Sequence, residues 1–348
     1  MIDIQQHILD SNASAKEALI QLDKLGKDAI VFILDSESKL IGSLTDGDVR
    51  RGLIQGFNLE GKVELFINGK PKFIRKNEYS IDEVISLRKG EFKIIPVLDN
   101  DDRISYIINF RIHQSYLPVD AIVMAGGKGS RLMPLTENIP KPLLKVGDKT
   151  IIDHNVDRLR KFGVDDFWIS VKYLGDQIEK HFEKSKSSET KVRFIKEDTP
   201  LGTIGAVGGI SDLAHDYVLV TNSDILTTLN YEDFFLDFIE KDADMSVITI
   251  PYHVNVPYAV METANNQVLS FKEKPTYTYY SNGGIYLIKK EILKLIPKKT
   301  FFNTTDLMEK LISDGGKLIS YPIRQYWLDI GKHEDYQKAQ NDLKHLTL

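Results

Sequence analysis

Along the last two-thirds of the chain, apolar runs of four to six residues alternate with stretches whose apolar positions recur every three or four. The runs predict strands at 121–124, 166–171, 192–195, 217–220, 245–250 and 284–288. The amphipathic stretches predict helices at 153–162 and 175–182. Strands alternating with helices imply an α/β domain around a mostly parallel sheet.

The first 115 residues follow a different rule, because they contain an internal echo. Ser14-Ala15-Lys16-Glu17-Ala18-Leu19-Ile20 and Ser80-Ile81-Asp82-Glu83-Val84-Ile85-Ser86 both read as helix starts capped by serine. Each leads to an apolar strand and an acidic turn, at 29–35 and 94–99, and then to a further strand, at 40–44 and 104–108. A duplicated unit of this size buries the apolar faces of its copies against each other. The stretch 111–118 has no periodicity and ends in Pro118, so the expected domains are 1–115 and 119–348.

Composition narrows the function. A 42% hydrophobic and 27% charged chain has material for real cores. Its 45 Lys and Arg against 50 Asp and Glu leave a net charge of −5, which argues against nucleic-acid binding through bulk positive charge. With no cysteine, disulfides, thiolate zinc sites and cysteine nucleophiles are excluded. The eight histidines show no metal-ligand spacing. The opening MIDIQQHILD lacks the apolar core of a signal peptide, and no apolar run nears the ~20 residues that span a bilayer. A cytoplasmic protein without a membrane partner is expected.

The candidate chemistry begins after the strand at 121–124, with Ala125-Gly126-Gly127-Lys128-Gly129-Ser130-Arg131. Three glycines let backbone N–H groups approach an anion. The Walker A spacing is not met, and Leu132 stands where a dinucleotide fingerprint needs its third glycine. Arg131, with Lys141 of Pro140-Lys141-Pro142-Leu143, puts two cations near the loop. That suits a reaction in which negative charge builds on a leaving pyrophosphate. Asp224 ends a strand, where an open parallel sheet has its ligand crevice. Asp329, in Trp327-Leu328-Asp329-Ile330-Gly331, offers a second carboxylate. Further polar motifs are Glu197-Asp198-Thr199-Pro200-Leu201-Gly202, Glu273-Lys274-Pro275 and Asn282-Gly283-Gly284.

On these motifs the region from 119 onward resembles the sugar-1-phosphate nucleotidyltransferases. These are Rossmann-like enzymes that join a sugar 1-phosphate to the α-phosphate of a nucleoside triphosphate and release pyrophosphate. The resemblance implies nucleotide contacts from Ala125, Gly126, Gly127, Gly129 and Ser130, and catalytic roles for Arg131, Lys141 and Lys274. It assigns Mg2+ to Asp224 and Asp329; the ion takes one or two carboxylates plus phosphate oxygens and water, so two aspartates are enough. Glu273 and Asn282 would meet sugar hydroxyls and Lys274 the sugar phosphate. Gly283 would line the sugar side, where alanine is the commoner form. Glu197 and Gly202 would belong to the base-reading loop. A carboxylate only accepts hydrogen bonds, so Glu197 facing a base would select the N1–H and N2–H2 edge of guanine; turned to solvent it selects nothing.

Residues 1–115 resemble a tandem CBS pair, an α+β small-molecule-sensing module, most closely at Gly42-Ser43-Leu44-Thr45-Asp46-Gly47-Asp48. The resemblance gives Thr45 and Asp48 to the phosphate or ribose hydroxyls of a regulatory nucleotide, with an adenine nucleotide expected. The competing reading is that they cap the next helix. The second copy carries Asn109 and Ile112 at these places, and Ile112 cannot accept a hydroxyl proton. Such pairs dimerise, so a homodimer or higher assembly is expected. The fusion is similar to the glucosamine-1-phosphate guanylyltransferases of bacterial legionaminic acid pathways, which makes GTP and glucosamine 1-phosphate the first expected substrates. A mannose-1-phosphate guanylyltransferase and a UTP or dTTP enzyme follow. The alternative of another class is a regulatory protein that binds nucleotides without turning them over. Against it stand Arg131, Lys141, Lys274, Asp224 and Asp329, all present together.

Overall fold

The structure, a computed structural model, describes residues 4–76, 78–90, 92–184 and 191–346. It contains two compact units. One runs as far as Pro118 and includes Arg160–Asp165; the other holds Val119–Leu159 and the described residues from Asp166 onward.

The N-terminal unit is built twice. Its first copy is β1 (Ile8–Asp10), α1 (Ala15–Leu25), β2 (Val31–Leu34), β3 (Leu40–Leu44) and α2 (Asp46–Ile54). The second is β4 (Ile74–Arg75), α3 (Ile81–Lys89), β5 (Ile94–Leu98) and β6 (Ile104–Asn109). In each copy the first strand pairs parallel with the second, and the second antiparallel with the third. Ser14 and Ser80 cap α1 and α3, accepting from the N–H groups of Glu17 and Glu83. Phe32 from one copy shares a buried cluster with Ile94 and Ile107 from the other, so the copies do hide their apolar faces on each other. Among the described residues no helix follows β6 as α2 follows β3, which is where the second copy departs from the first.

In the C-terminal unit β7 (Val119–Met124) leads to a short hairpin of β8 (Lys145–Val146) and β9 (Lys149–Thr150). Then come α4 (Ile151–Lys161), β10 (Asp166–Val171), α5 (Gly175–Lys184), β11 (Lys191–Lys196) and β12 (Tyr217–Asn222). Next are β13 (Ile225–Thr227), α6 (Tyr231–Glu240), β14 (Met245–Asn255), β15 (Val260–Ala264), β16 (Gln267–Lys272) and β17 (Thr276–Lys289). The chain closes with α7 (Thr304–Ser313), β18 (Leu318–Pro322), β19 (Trp327–Asp329) and α8 (His333–Asp342). The main sheet has the order β11-β10-β7-β12-β17-β14-β18. Its first four strands are parallel, β17 runs against both neighbours, and β14 is parallel to β18. The sheet is therefore mixed but parallel-rich.

Burial follows the patterning. β7 is apolar at nearly every position, as a strand covered on both faces should be. On α4 the buried Ile151, Ile152, Val156 and Leu159 share one face. Leu307 and Leu311 of α7 pack with Ile122, Val220 and Ile288 in the main core. A smaller core of Leu132, Ile151, Leu226, Leu328 and Ile330 seats the two-stranded pair β13–β19. At about 1.5–3 kcal/mol for each such side chain buried, it fixes two strands of only three residues. All the expected strands are present, but β14 and β17 run well beyond 250 and begin well before 284, and the hairpin β15–β16 between them was not anticipated. Among the described residues no helix is long and apolar enough to cross a membrane.

Candidate active site

The loop after β7 lies at the carboxyl edge of the parallel strands. Gly129 has φ 63°, and a Cβ there would lie 3.0 Å from Lys141 Cβ, so any side chain would be both strained and crowded. Thr136 Oγ1 donates to Gly129 O at 2.9 Å and pins the turn. Gly126, Gly127, Gly129, Ser130 and Arg131 line a cleft of about 840 Å³, together with Lys141, Glu197, Gly202 and Asp224. Ala125 is buried outside it, its N–H donating to Ser170 O at 2.9 Å.

Lys141 enters from a tight turn flanked by Pro140 and Pro142, and its nearly buried ammonium donates to Asp224 Oδ2. Asp224 links β12 to β13. The antiparallel pairing of β13 with β19 sets Ile225 opposite Asp329, and Ile330 N–H donates to Asp224 O at 3.0 Å. Two carboxylates are thereby forced together. Burial, and then the charge of Asp224, push the Asp329 pKa up to about 6, against the pull of Lys141 and Arg131. Asp329 Oδ1 is buried and has no hydrogen-bond partner. An orphaned acceptor beside a second carboxylate has the donor chemistry a divalent cation needs. Arg131 reaches the same place: a Cβ on Gly331 would stand 3.5 Å from its Nη1.

Glu197 faces the cleft with both oxygens engaged. Ser170 Oγ donates to Oε1, and Leu201 N–H donates to Oε2 at 3.1 Å. Part of its job is thus to hold its own loop, while its remaining lone pairs can still accept from a base. Gly202 has φ 78° and lies so close to Phe302 O that a Cβ would come within 2.6 Å, so packing of the backbone, and not only room for a ligand, requires glycine there.

The sugar-side residues are not brought into the cleft. Glu273 and Lys274 are exposed between β16 and β17 and form no part of its lining. Asn282 Oδ1 already accepts from Gly284 N–H at 2.9 Å and from Tyr286 OH at 3.0 Å. Gly283 O accepts from Trp327 Nε1 at 2.9 Å, and a Cβ on Gly283 would meet Ile248 Cγ1 at 2.7 Å. In the N-terminal unit, Asp48 Oδ2 accepts from Thr45 N–H at 2.8 Å and Thr45 Oγ1 at 2.6 Å, closing the first turn of α2. That geometry is helix capping. Its counterpart Asn109 is buried and donates to Asp28 Oδ2 at 2.9 Å, while Ile112 is exposed.

Lys128, Lys172, Tyr173 and Asn222 also line the cleft, and the motif reading passed over them. Lys172 and Asn222 stand at the carboxyl ends of β10 and β12, so the strand-end rule that selected Asp224 could have found both.

A family model described as nucleotidyl transferase matches residues 120–345. The bifunctional protein GlmU of Methanocaldococcus jannaschii is 31% identical over 65% of this chain and 54% of its own length, so the chain spans about half of that relative. The D-glycero-alpha-D-manno-heptose 1-phosphate guanylyltransferase of Aneurinibacillus thermoaerophilus is 28% identical over 65% of this chain and 99% of its own. Among solved structures, HddC from Yersinia pseudotuberculosis complexed with GMP-PN superposes with a TM-score of 0.51 at 27% identity, covering 65% of this chain and 99% of that one.

Proposed function

Since this chain belongs to the nucleotidyl transferase family, we propose that it joins a sugar 1-phosphate to a nucleoside triphosphate. GTP and glucosamine 1-phosphate are the favoured pair, giving GDP-glucosamine and pyrophosphate for a surface-glycan route of the legionaminic acid type. The observation that carries this reading is the meeting of Lys141, Asp224 and Asp329 beside the glycine loop. Guanine is supported by Glu197 on the cleft wall, by a relative named as a guanylyltransferase and by the GMP-PN complex of a solved relative. The N-terminal unit is proposed as a CBS pair that makes the protein a homodimer.

In this reading the N–H groups of residues 126–130 face the triphosphate, and Arg131 and Lys141 balance its charge. The sugar-phosphate oxygen attacks the α-phosphorus in line as the bond to the bridging oxygen of the β-phosphate breaks. The nucleophile is already an anion, so no general base is needed and no proton has to move. Mg2+, when held by Asp224 and Asp329, supplies further charge neutralisation at the phosphate oxygens. Lys141 keeps Asp224 in position.

The test is pyrophosphate release with Mg2+, crossing GTP, UTP, dTTP, CTP and ATP with glucosamine-, N-acetylglucosamine-, mannose- and glucose-1-phosphate. Turnover confined to the GTP row is expected. Release with UTP or dTTP alone would keep the reaction and overturn the guanine assignment. Silence throughout, with adenine nucleotides added, would favour the non-catalytic regulatory reading.

A further inference from the structure

β10 and β11 pair in parallel as far as Val171↔Lys196, and the next residues along the two strands are Lys172 and Glu197. Glu197 N–H carries the pairing one step further by donating to Val171 O at 3.0 Å. Neighbouring strands stand about 4.8 Å apart and residues in register share a face, so a cation and a carboxylate leave the sheet side by side. A Cβ on Gly126 would stand 2.8 Å from Glu197 Oε1 and 3.4 Å from Lys172 Cβ, so the two flank the same glycine of the loop. Both line the cleft.

The two side chains are held differently. Each oxygen of Glu197 already accepts once, Oε1 from Ser170 Oγ and Oε2 from Leu201 N–H, which leaves each with a further lone pair. The carboxylate is thus fixed at both ends and offers two acceptor sites next to each other. Lys172 has three donor hydrogens and no acceptor, and its ammonium makes no hydrogen bond or ion pair among the described residues. The other cations of the cleft stand with the aspartates or on the glycine loop itself. Lys141 donates to Asp224, and Arg131 lies against Gly331. Lys128 lies 6.0 Å from the ring centroid of Tyr173, whose hydroxyl donates to Glu137 O at 2.8 Å. Lys172 differs from all three in standing beside Glu197.

We propose that Lys172 is a specificity-determining residue of the nucleotide site, donating to the C6 carbonyl of guanine while Glu197 accepts from its N1–H and N2–H2. The inference rests on the guanine reading above and adds the donor that Glu197 cannot supply. Along this edge guanine presents one acceptor and then two donors, and the lysine and the carboxylate meet them in that order. Uracil and thymine satisfy Lys172 through O4 and one carboxylate oxygen through N3–H, but they set O2 against the other oxygen. Adenine and cytosine set an amino group against the ammonium, donor against donor. Each mismatch leaves a desolvated polar group without a partner, so the pair rejects by conflict as well as by lost attraction.

Three nucleotides test this on the full chain, with Mg2+ and the sugar 1-phosphate that wild type turns over best. 6-Thio-GTP replaces O6 by a weakly accepting sulfur and keeps both donors, whereas ITP keeps O6 and N1–H and lacks the 2-amino group. Wild type should favour GTP over each. Lys172→Met keeps the apolar stem and loses the donors; it should lower kcat/KM with GTP about tenfold and abolish the preference for GTP over 6-thio-GTP. Its preference for GTP over ITP should persist, which also shows that the site is folded. An equal loss with all three nucleotides would make Lys172 a phosphate cation, and no loss would make it a bystander; either result overturns the inference. Turnover with UTP and none with GTP would overturn the guanine reading and this inference together. If wild type releases no pyrophosphate with any pair, the transferase reading falls by itself, and calorimetric Kd values for the same nucleotides decide the matter. Tighter binding of GTP than of 6-thio-GTP, lost in Lys172→Met, would sustain the inference; equal binding of the two by wild type would end it.

Discussion

Two acid-bearing turns, one in each unit, use similar residues to opposite ends. At the start of α2, Asp48 receives the N–H and hydroxyl of Thr45, and Arg51 takes its other oxygen. The carboxylate is satisfied by its own helix, and its neighbours explain its position fully. At the β13–β19 pair, two carboxylates are pressed together, one held by Lys141 and the other left with a buried, unpartnered oxygen. The local backbone gives this second arrangement no reason to exist, and burying it opposes folding. A carboxylate unsatisfied by its own fold points to a ligand; one satisfied by it points to the fold. Glu197 lies between the two, on the cleft wall yet tethered by Ser170 and Leu201.

The contrast is broken most directly at Asp329. Asp329→Asn should lower kcat on the order of 10²–10³-fold, as for loss of one preorganised charge group. It should also raise the thermal midpoint without Mg2+, since it removes a buried charge; an unchanged kcat would place the pair outside the reaction. Next comes the metal. A carboxylate raised from 3.8 to about 6 binds more protons in the native than in the unfolded state between those values, so its contribution to stability falls as pH rises through that window. Mg2+ should restore stability where the group is ionised. The Mg2+-induced gain in Tm should therefore be larger near pH of about 7.5 than near about 5. Equal gains at both would place the metal elsewhere. Glu197→Gln should cut the preference for GTP over UTP by about tenfold in kcat/KM, because an amide NH2 replaces one acceptor. A change in stability with unaltered preference would make this residue purely a loop tether. The smallest effect is expected at the satisfied turn, where Thr45→Ala should cost about 1 kcal/mol in chemical denaturation. If it instead abolished an adenine-nucleotide Tm shift with no loss of stability, the cap would be a binding site after all.

What was legible in the sequence divides along the same line. Six of the seven strands of the main sheet, both serine caps and the duplicated unit are written in local periodicity and capping chemistry and stand near where that pattern puts them, whereas β18 was not anticipated. Gly129, Arg131, Lys141 and Asp224 converge because each is tied to a strand end or a proline turn. The outer ribbon formed by β14 and β17 beyond Thr249 and Asn282 was not legible. Its alternation of tyrosines with Thr, His and Asn scores weakly as an apolar run, and Gly283-Gly284 reads as a break although β17 passes through it. Ser170 beneath Glu197 was equally hidden, because it meets that carboxylate only through the pairing of β10 with β11 and the loop beyond.

Gly283 has a meaning besides the sugar it was expected to face. Its missing methyl is filled by Ile248 from the neighbouring strand, at the one irregular step in the β14–β17 ladder. The pair is a volume exchange: one strand gives up a side chain and the other extends into the space. Residue 283 therefore covaries in principle with residue 248. Gly283→Ala should be tolerated better in an Ile248→Ala background than in the native chain, because that change removes the Cγ1 and Cδ1 that the new methyl would meet. The identity of that glycine reports on its neighbour's bulk before it reports on any substrate.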